Sequence, residues 1–341
     1  MTSSDAHLDM RRRTFERIAA RLRSFGDDDL SAALAPDKAS WRYSVHGSQS
    51  AVIEVEGAKV FVKQISLTDL ERRPENEGST ANLFGLPLFY QYGVGSAGFG
   101  AWRELQAYLK AGEWALSGEC PHFPLVYHWR VLPRRPPPLS AEQLAWLERA
   151  PDYWESDAVR ARLEAISGAT SSIVLFLEHV PQMLDTWLSD SLAGEPPAPG
   201  LEAAILRVHE QLDETAAFMN GRGMLHFDLH AFNVLTDGDQ VYAADFGLAL
   251  CEDFDLSPAE RGFFEAHRLY DRGYVAWGLV ECLAPKGEPR VRAPALDALV
   301  ARCKPVADIL RSFFGRLSGE AKTTPYPAAE LEAALAQIRV Q

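Results

Sequence analysis

The stretch from Met224 to Leu250, "MLHFDLHAFNVLTDGDQVYAADFGLAL", constrains this chain more than any other. Two short apolar runs, one leading from Asn233 and one leading to Asp245, flank the dipeptide Asp237-Gly238. That dipeptide suits a tight hairpin turn, because glycine takes positive φ without steric cost. Such a hairpin returns Asp245 to the side of Asn233. Upstream, the spacing His226-x-Asp228-x-x-x-x-Asn233 adds a second carboxylate to the same end of the ribbon. Carboxylate and carboxamide oxygens are hard ligands suited to magnesium. A carboxylate can also accept the proton of an attacking hydroxyl. His226 is expected to pack beneath the loop.

These residues, with Asp245-Phe246-Gly247, resemble the protein-kinase superfamily, including its aminoglycoside and choline kinase relatives. The resemblance covers roughly residues 41–280. It implies an α+β, bilobal protein-kinase-like fold, with a strand-rich N-lobe and a helical C-lobe. It also implies transfer of the γ-phosphoryl group of ATP to a hydroxyl, assisted by Mg2+. That reaction asks a protein mainly to position reactants and to neutralise spreading negative charge. On this resemblance Asp228 is the catalytic base, and Asn233 and Asp245 hold the metal. Lys63, in "KVFVKQI", corresponds to the phosphate-binding lysine, with Glu104 as its expected ion-pair partner and Glu71, Glu75 and Glu77 as rivals. "VHGSQSAVIEV" takes the place of the phosphate loop. Gly47 is its only glycine, a departure from the family's form, and Ser48 and Ser50 are small and polar. "LFLEHVPQMLDTWL" resembles the hinge, where backbone groups from Glu178 to Val180 would bond adenine.

A second glycine pattern competes for the nucleotide. Gly93-Val94-Gly95-Ser96-Ala97-Gly98 follows an apolar, aromatic run and precedes a segment with Trp102, Leu105, Tyr108 and Leu109 on one helical face. Strand, glycines and helix are the order of a dinucleotide fingerprint. However, the pattern lies after Lys63, whereas the phosphate loop of the resembled family precedes its lysine. A dinucleotide fold would also need early parallel βαβ units. The glycines are therefore expected to serve as a flexible substrate-side lid, with the helix of Glu104 beginning just beyond them.

Along the chain, residues 1–40 read as a helical extension ending in the polar turn "GDDDLS". Residues 41–179 read as the N-lobe, with insertions near 64–100 and 133–170, and residues 180–341 as the helical C-lobe. "AVIEVEG" and "KVFVKQI" suggest a hairpin about Gly57, and "FPLVYHWRVL" and "SSIVLFLEHV" two further strands. Leu201, Ile205, Val208, Leu212, Ala216 and Met219 repeat at helical spacing.

The net charge of -13 argues against a nucleic-acid or membrane partner and favours a neutral or cationic small molecule. Four cysteines without metal spacing fit a reducing compartment. "RRRTFERIAARLRSF" imitates a targeting peptide, but Asp5, Asp9 and Glu16 weaken that reading. A cytoplasmic protein is expected.

The branch of the family is contested by the residues themselves. His230 resembles the small-molecule kinases, whereas Asp245-Phe246-Gly247 resembles the protein kinases. Phe227 stands where many regulated protein kinases carry an arginine, and "SPAE" at Ser257 is at best a remnant of their "APE" signature. Glu252, Asp253 and Asp255 lie where substrate is expected to dock. The resemblance thus favours a small or cationic hydroxyl acceptor. A protein or peptide Ser/Thr kinase is the alternative, and a catalytically silent pseudokinase scaffold the second alternative.

Overall fold

Strand β2 (Gln49–Val55) and strand β3 (Ala58–Leu67) form an antiparallel hairpin in which Val55 pairs with Ala58. The two loop residues, Glu56 and Gly57, have φ of 50° and 72°. Positive φ at both positions is the turn whose twist matches two right-handed strands. The computed structural model to which these elements belong describes residues 3–35, 39–43, 49–93, 95–136, 138–193, 199–288, 290–291 and 293–339. It is an α+β chain that divides into two units, residues 1–180 with 246–248, and residues 181–245 with 249–341.

The first unit is built on a five-stranded antiparallel sheet in the order β1-β2-β3-β5-β4. Strand β1 is Arg42–Tyr43, β4 is Val126–Pro133 and β5 is Ser171–Glu178. Seven of the eight β5 residues are buried, as its unbroken apolar run requires of a strand covered on both faces. Helix α1 (Ser3–Ser24) packs on β4 and on α3 (Ala101–Ser117), burying Ile18, Ala19 and Leu22.

The described residues among 1–40 are thus part of the first unit's packing. The acidic turn read in "GDDDLS" is instead the start of helix α2 (Asp27–Ala33). Its three aspartates lie in the first turn, where negative charge complements the helix dipole.

The segments read as insertions fold against each other. Helices α4 (Ala141–Trp154) and α5 (Asp157–Gly168) supply Ala150, Trp154, Val159 and Leu163 to a small core completed by Leu86, Tyr90 and Phe99. Tyr90 meets Trp154 edge-on at 4.9 Å, and both rings are fully buried. The run before the glycines is not a strand: Leu88–Tyr92 is a short 3₁₀ helix, which removes the strand that a dinucleotide fingerprint needs.

The second unit holds two small antiparallel sheets. One is ordered β6 (Gln182–Met183), β8 (Val234–Thr236), β9 (Val241–Ala243), and the other pairs β7 (Met224–Leu225) with β10 (Leu250–Cys251). Helices fill the rest: α6 (Leu184–Leu192), α7 (Leu201–Gly221), α8 (Pro258–Ala266), α9 (Tyr270–Leu283), α10 (Pro294–Gly319) and α11 (Ala328–Arg339). Val280, Cys303, Val306, Leu310 and Leu331 form the centre of its apolar core. "SPAE" is a capping box: Ser257 Oγ accepts from the Glu260 amide at 3.2 Å, and Glu260 Oε2 accepts from the Ser257 amide at 2.9 Å. That role accounts for the residues without any kinase signature. Among the described residues, no helix is long and apolar enough to cross a membrane.

Candidate active site

In the first unit, Lys63 occupies the middle of β3, paired across to Ser50 on β2 and Leu175 on β5. Its Nζ lies 2.7 Å from Glu104 Oε1, with both side chains about nine-tenths buried. Glu104, not Glu71, Glu75 or Glu77, is the partner. Helix α3 has no side-chain cap of its own at Gly100. A remote carboxylate serves instead: Glu71 Oε1 accepts from the Ala101 amide at 2.6 Å. The other oxygen of Glu71 accepts from the Thr68 amide and hydroxyl and from Arg162 Nη1 at 3.0 Å. Burial alone would raise this carboxyl, but the Arg162 charge and those hydrogen bonds outweigh it and hold it below the usual range. Glu71 is therefore committed to fixing the start of α3, one turn from Glu104.

Phe246, the middle of Asp245-Phe246-Gly247, also belongs to this unit. Its ring stands edge-on to Tyr108 at 4.9 Å and beside Phe123 at 6.2 Å. Tyr108 lies one turn beyond Glu104 on α3, and its ring is 5.6 Å from Lys63 Nζ. The glycine segment grips the same tripeptide. Gly98, at φ 72°, leaves no room for a Cβ against the Gly247 carbonyl. The Gln91 side-chain Nε2 donates to the Leu248 carbonyl, and the Ala97 backbone amide donates to Tyr90 Oη. In the segment read as a flexible substrate-side lid, Ser96, Gly98 and Phe99 are buried, and Gly98 allows close backbone approach.

Glu178, at the end of β5, turns its carboxylate to Arg11, whose Nη2 lies 2.6 Å away. Its own amide donates to the Leu125 carbonyl at 2.8 Å. Any adenine contact at this residue would therefore use its carbonyl oxygen. Val180 is half-buried in the two-residue run beyond. Gly47 and Ser48 lie outside the described residues.

In the second unit, β7 leads into the loop 226–233 and β8 leads out of it. The Ala244 amide donates to the Asn233 carbonyl at 2.9 Å, extending the β8–β9 pairing and bringing Asn233 and Asp245 to one end of the hairpin. Asp245 has φ 62°, a left-handed conformation uncommon for a residue other than glycine. Asn233 Nδ2 donates to Asp228 Oδ2 at 2.7 Å and to the Asp228 carbonyl at 3.0 Å. With its nitrogen so engaged, the oxygen end of Asn233 is the one left for a ligand. Oxygens from Asn233 and Asp245 are hard donors of the kind that would suit a magnesium ion.

His230 Nε2 lies 3.3 Å from Asp228 Oδ1. Burial works to lower the pKa of this imidazole, but the Asp228 hydrogen bond and the charges of Asp228 and Asp245 outweigh it and raise it. His226 is fully buried and structural. Its Nδ1 accepts from the Asp228 amide at 3.3 Å, so the proton resides on Nε2, which donates to the Ala244 carbonyl at 3.1 Å. Burial lowers its pKa, in keeping with that neutral tautomer.

The residue missed in the sequence is Asp271 on α9. Its buried carboxylate accepts from the amides of His226 at 2.8 Å and Phe227 at 2.9 Å and from Asn220 Nδ2 at 2.9 Å. Those bonds hold Phe227 at φ 63°, with its ring stacked on Phe263. Phe227 is therefore a core residue beneath the loop. No spacing links residue 271 to the loop; only its position in an apolar helix, "LYDRGYVAWGLV", marks a carboxylate that needs a buried partner. No family model and no curated protein matches the chain.

Proposed function

We propose that this chain is an ATP- and magnesium-dependent phosphotransferase, its two units corresponding to the strand-rich and helix-rich lobes of a protein-kinase-like fold. One observation carries the reading: the β8–β9 hairpin places Asn233 beside Asp245, and Asn233 in turn holds the Asp228 carboxylate at 2.7 Å. One short ribbon and one loop thereby hold the three residues that would serve as base and metal ligands. Asn233 and Asp245 would hold Mg2+, which neutralises phosphate charge when bound. Lys63, held by Glu104 at 2.7 Å, would pair with phosphate oxygens. Asp228 would orient the acceptor hydroxyl and take its proton at a carboxylate oxygen.

For the acceptor, a small neutral or cationic alcohol is favoured. Glu252, Asp253 and Asp255 are exposed just after β10, and the net charge is -13. The three described buried cysteines and half-buried Cys282 are all free thiols, which suits a cytoplasmic setting. An ADP-release assay over a panel of amino alcohols, aminoglycosides and hydroxyl-bearing peptides, with and without Mg2+, tests the proposal. Acceptor-stimulated release that depends on magnesium and disappears in Asp228→Asn is expected. Equal release by the parent and that variant would overturn it, and stimulation by peptides alone would move the assignment to a protein kinase.

A further inference from the structure

Arg11 is a heavily bonded cation of the first unit, yet it comes from the N-terminal helix, which the proposed reaction does not use. It is 3% exposed. Its Nη1 donates to the Pro121 carbonyl at 2.9 Å, and its Nη2 donates to the Phe123 carbonyl at 2.6 Å. Its Nε and Nη2 also reach the Glu178 carboxylate, at 3.0 and 2.6 Å. The Glu178 carboxylate accepts in addition from the Leu125 amide at 3.1 Å, and the Glu178 amide returns a bond to the Leu125 carbonyl.

A planar fork with several fixed donors can bridge separate acceptors in one geometry, which a lysine cannot do. The last residue of β5, which pairs with Val60 on β3, is therefore held by Arg11 and Leu125 as well. Neighbouring Arg12 makes a useful contrast. It donates to the carbonyls of Leu116 and Ser117 at the end of α3 and fastens the same helix without touching β5.

We infer that Arg11 is a positioning residue for the nucleotide, setting the backbone at the Glu178 end of β5 so that its carbonyl and the residues up to Val180 present a fixed edge to the adenine ring. The inference rests on the phosphotransferase reading above. It makes the N-terminal helix a working part of nucleotide recognition. Positioning of this kind acts on binding through pre-organisation, since a loose edge must be ordered when the ligand arrives.

The experiment is titration of a fluorescent ribose-labelled ADP into the full chain and into Arg11→Met, Arg11→Lys and Arg12→Met, each confirmed folded by circular dichroism. Arg11→Met should weaken the nucleotide by about tenfold, a difference of about 1.4 kcal/mol. Arg11→Lys keeps the charge but not the fork, and should recover only part of the affinity. It also carries the test if Arg11→Met fails to fold. Arg12→Met should bind as the parent does. In turnover the loss should appear in the KM for ATP, with kcat and the acceptor KM unchanged. Parent-like affinity in Arg11→Met or in Arg11→Lys, or an equal loss in Arg12→Met, would overturn the inference and leave the functional reading standing. Absence of nucleotide binding by the parent chain would overturn both.

Discussion

Phe246 stands edge-on to Tyr108, with ring centroids 4.9 Å apart and planes at 79°. The geometry is the favoured one for an aromatic pair, the positive edge of one ring meeting the negative face of the other. It joins Phe246, the residue after a proposed metal ligand, to the helix that carries Glu104. Gly98, pressed against the Gly247 carbonyl, packs on the next residue from another side. The glycine pattern at residues 93–98 is thus explained by packing and needs no nucleotide.

Replacing Gly98 with alanine should accordingly destabilise the first unit. The left-handed conformation alone costs about 1–2 kcal/mol for a residue with a Cβ, and overlap with a backbone carbonyl adds to it. Gly78 has nearly the same φ, 73°, but open space about it. Gly78→Ala should therefore show only the conformational cost. Denaturant unfolding of the two variants checks the difference; equal losses would remove the close approach at Gly98.

Asp228→Asn should leave nucleotide affinity near that of the parent while turnover falls about 10²–10⁴-fold. The carboxamide can still accept from Asn233 Nδ2, so the loop should keep its form. Single-turnover kinetics with a stimulating acceptor, beside nucleotide titration, separates the two quantities.

Asp245→Ala should abolish the part of ATP affinity that depends on magnesium. Asn233→Ala should reduce it less, because a neutral carbonyl contributes less to a divalent cation than a carboxylate does. Titrations of ATP with magnesium and with excess chelator give the comparison. An undiminished magnesium effect in Asp245→Ala would assign the metal to another group.

The His230 imidazole has its pKa raised by Asp228 and Asp245 against the opposing effect of burial. Its folded pKa lies above the unfolded value, about 6.5. The stabilisation is therefore fully present below that unfolded value and fades as pH rises through the folded pKa. Turnover should move in the opposite sense, rising over that interval as the imidazolium stops competing for the proton-accepting oxygen of Asp228. His230→Gln should flatten both profiles, measured as denaturation midpoints and as rates from pH 5.5 to about 9.

Arg162→Met should be strongly destabilising, by about 3–5 kcal/mol, because it leaves the buried Glu71 carboxylate without its counter-charge. The double variant with Glu71→Gln should recover part of that loss. The amide oxygen can still cap Ala101 and no longer carries a charge. Additive losses in a double-mutant cycle would show that the two side chains act independently.

The sequence determined the features that depend on near neighbours. Glu56-Gly57 and Asp237-Gly238 stand at the turns of their hairpins because a two-residue or short loop has few conformations to choose from. The helical spacing of Leu201, Ile205, Val208, Leu212, Ala216 and Met219 made α7, Leu201–Gly221, legible. Asp228, Asn233 and Asp245 could be grouped because a single loop and hairpin connect them. Tertiary structure alone decided which glutamate meets Lys63, that Arg11 reaches Glu178 across 167 positions, and that Arg162 reaches Glu71 across 91. Turn and helix preferences act over a few residues, whereas a charge is driven to its partner by the cost of burying it alone. That cost depends on what the finished core brings to its side, and for Arg11 and Asp271 the core brings acceptors and donors from segments far along the chain.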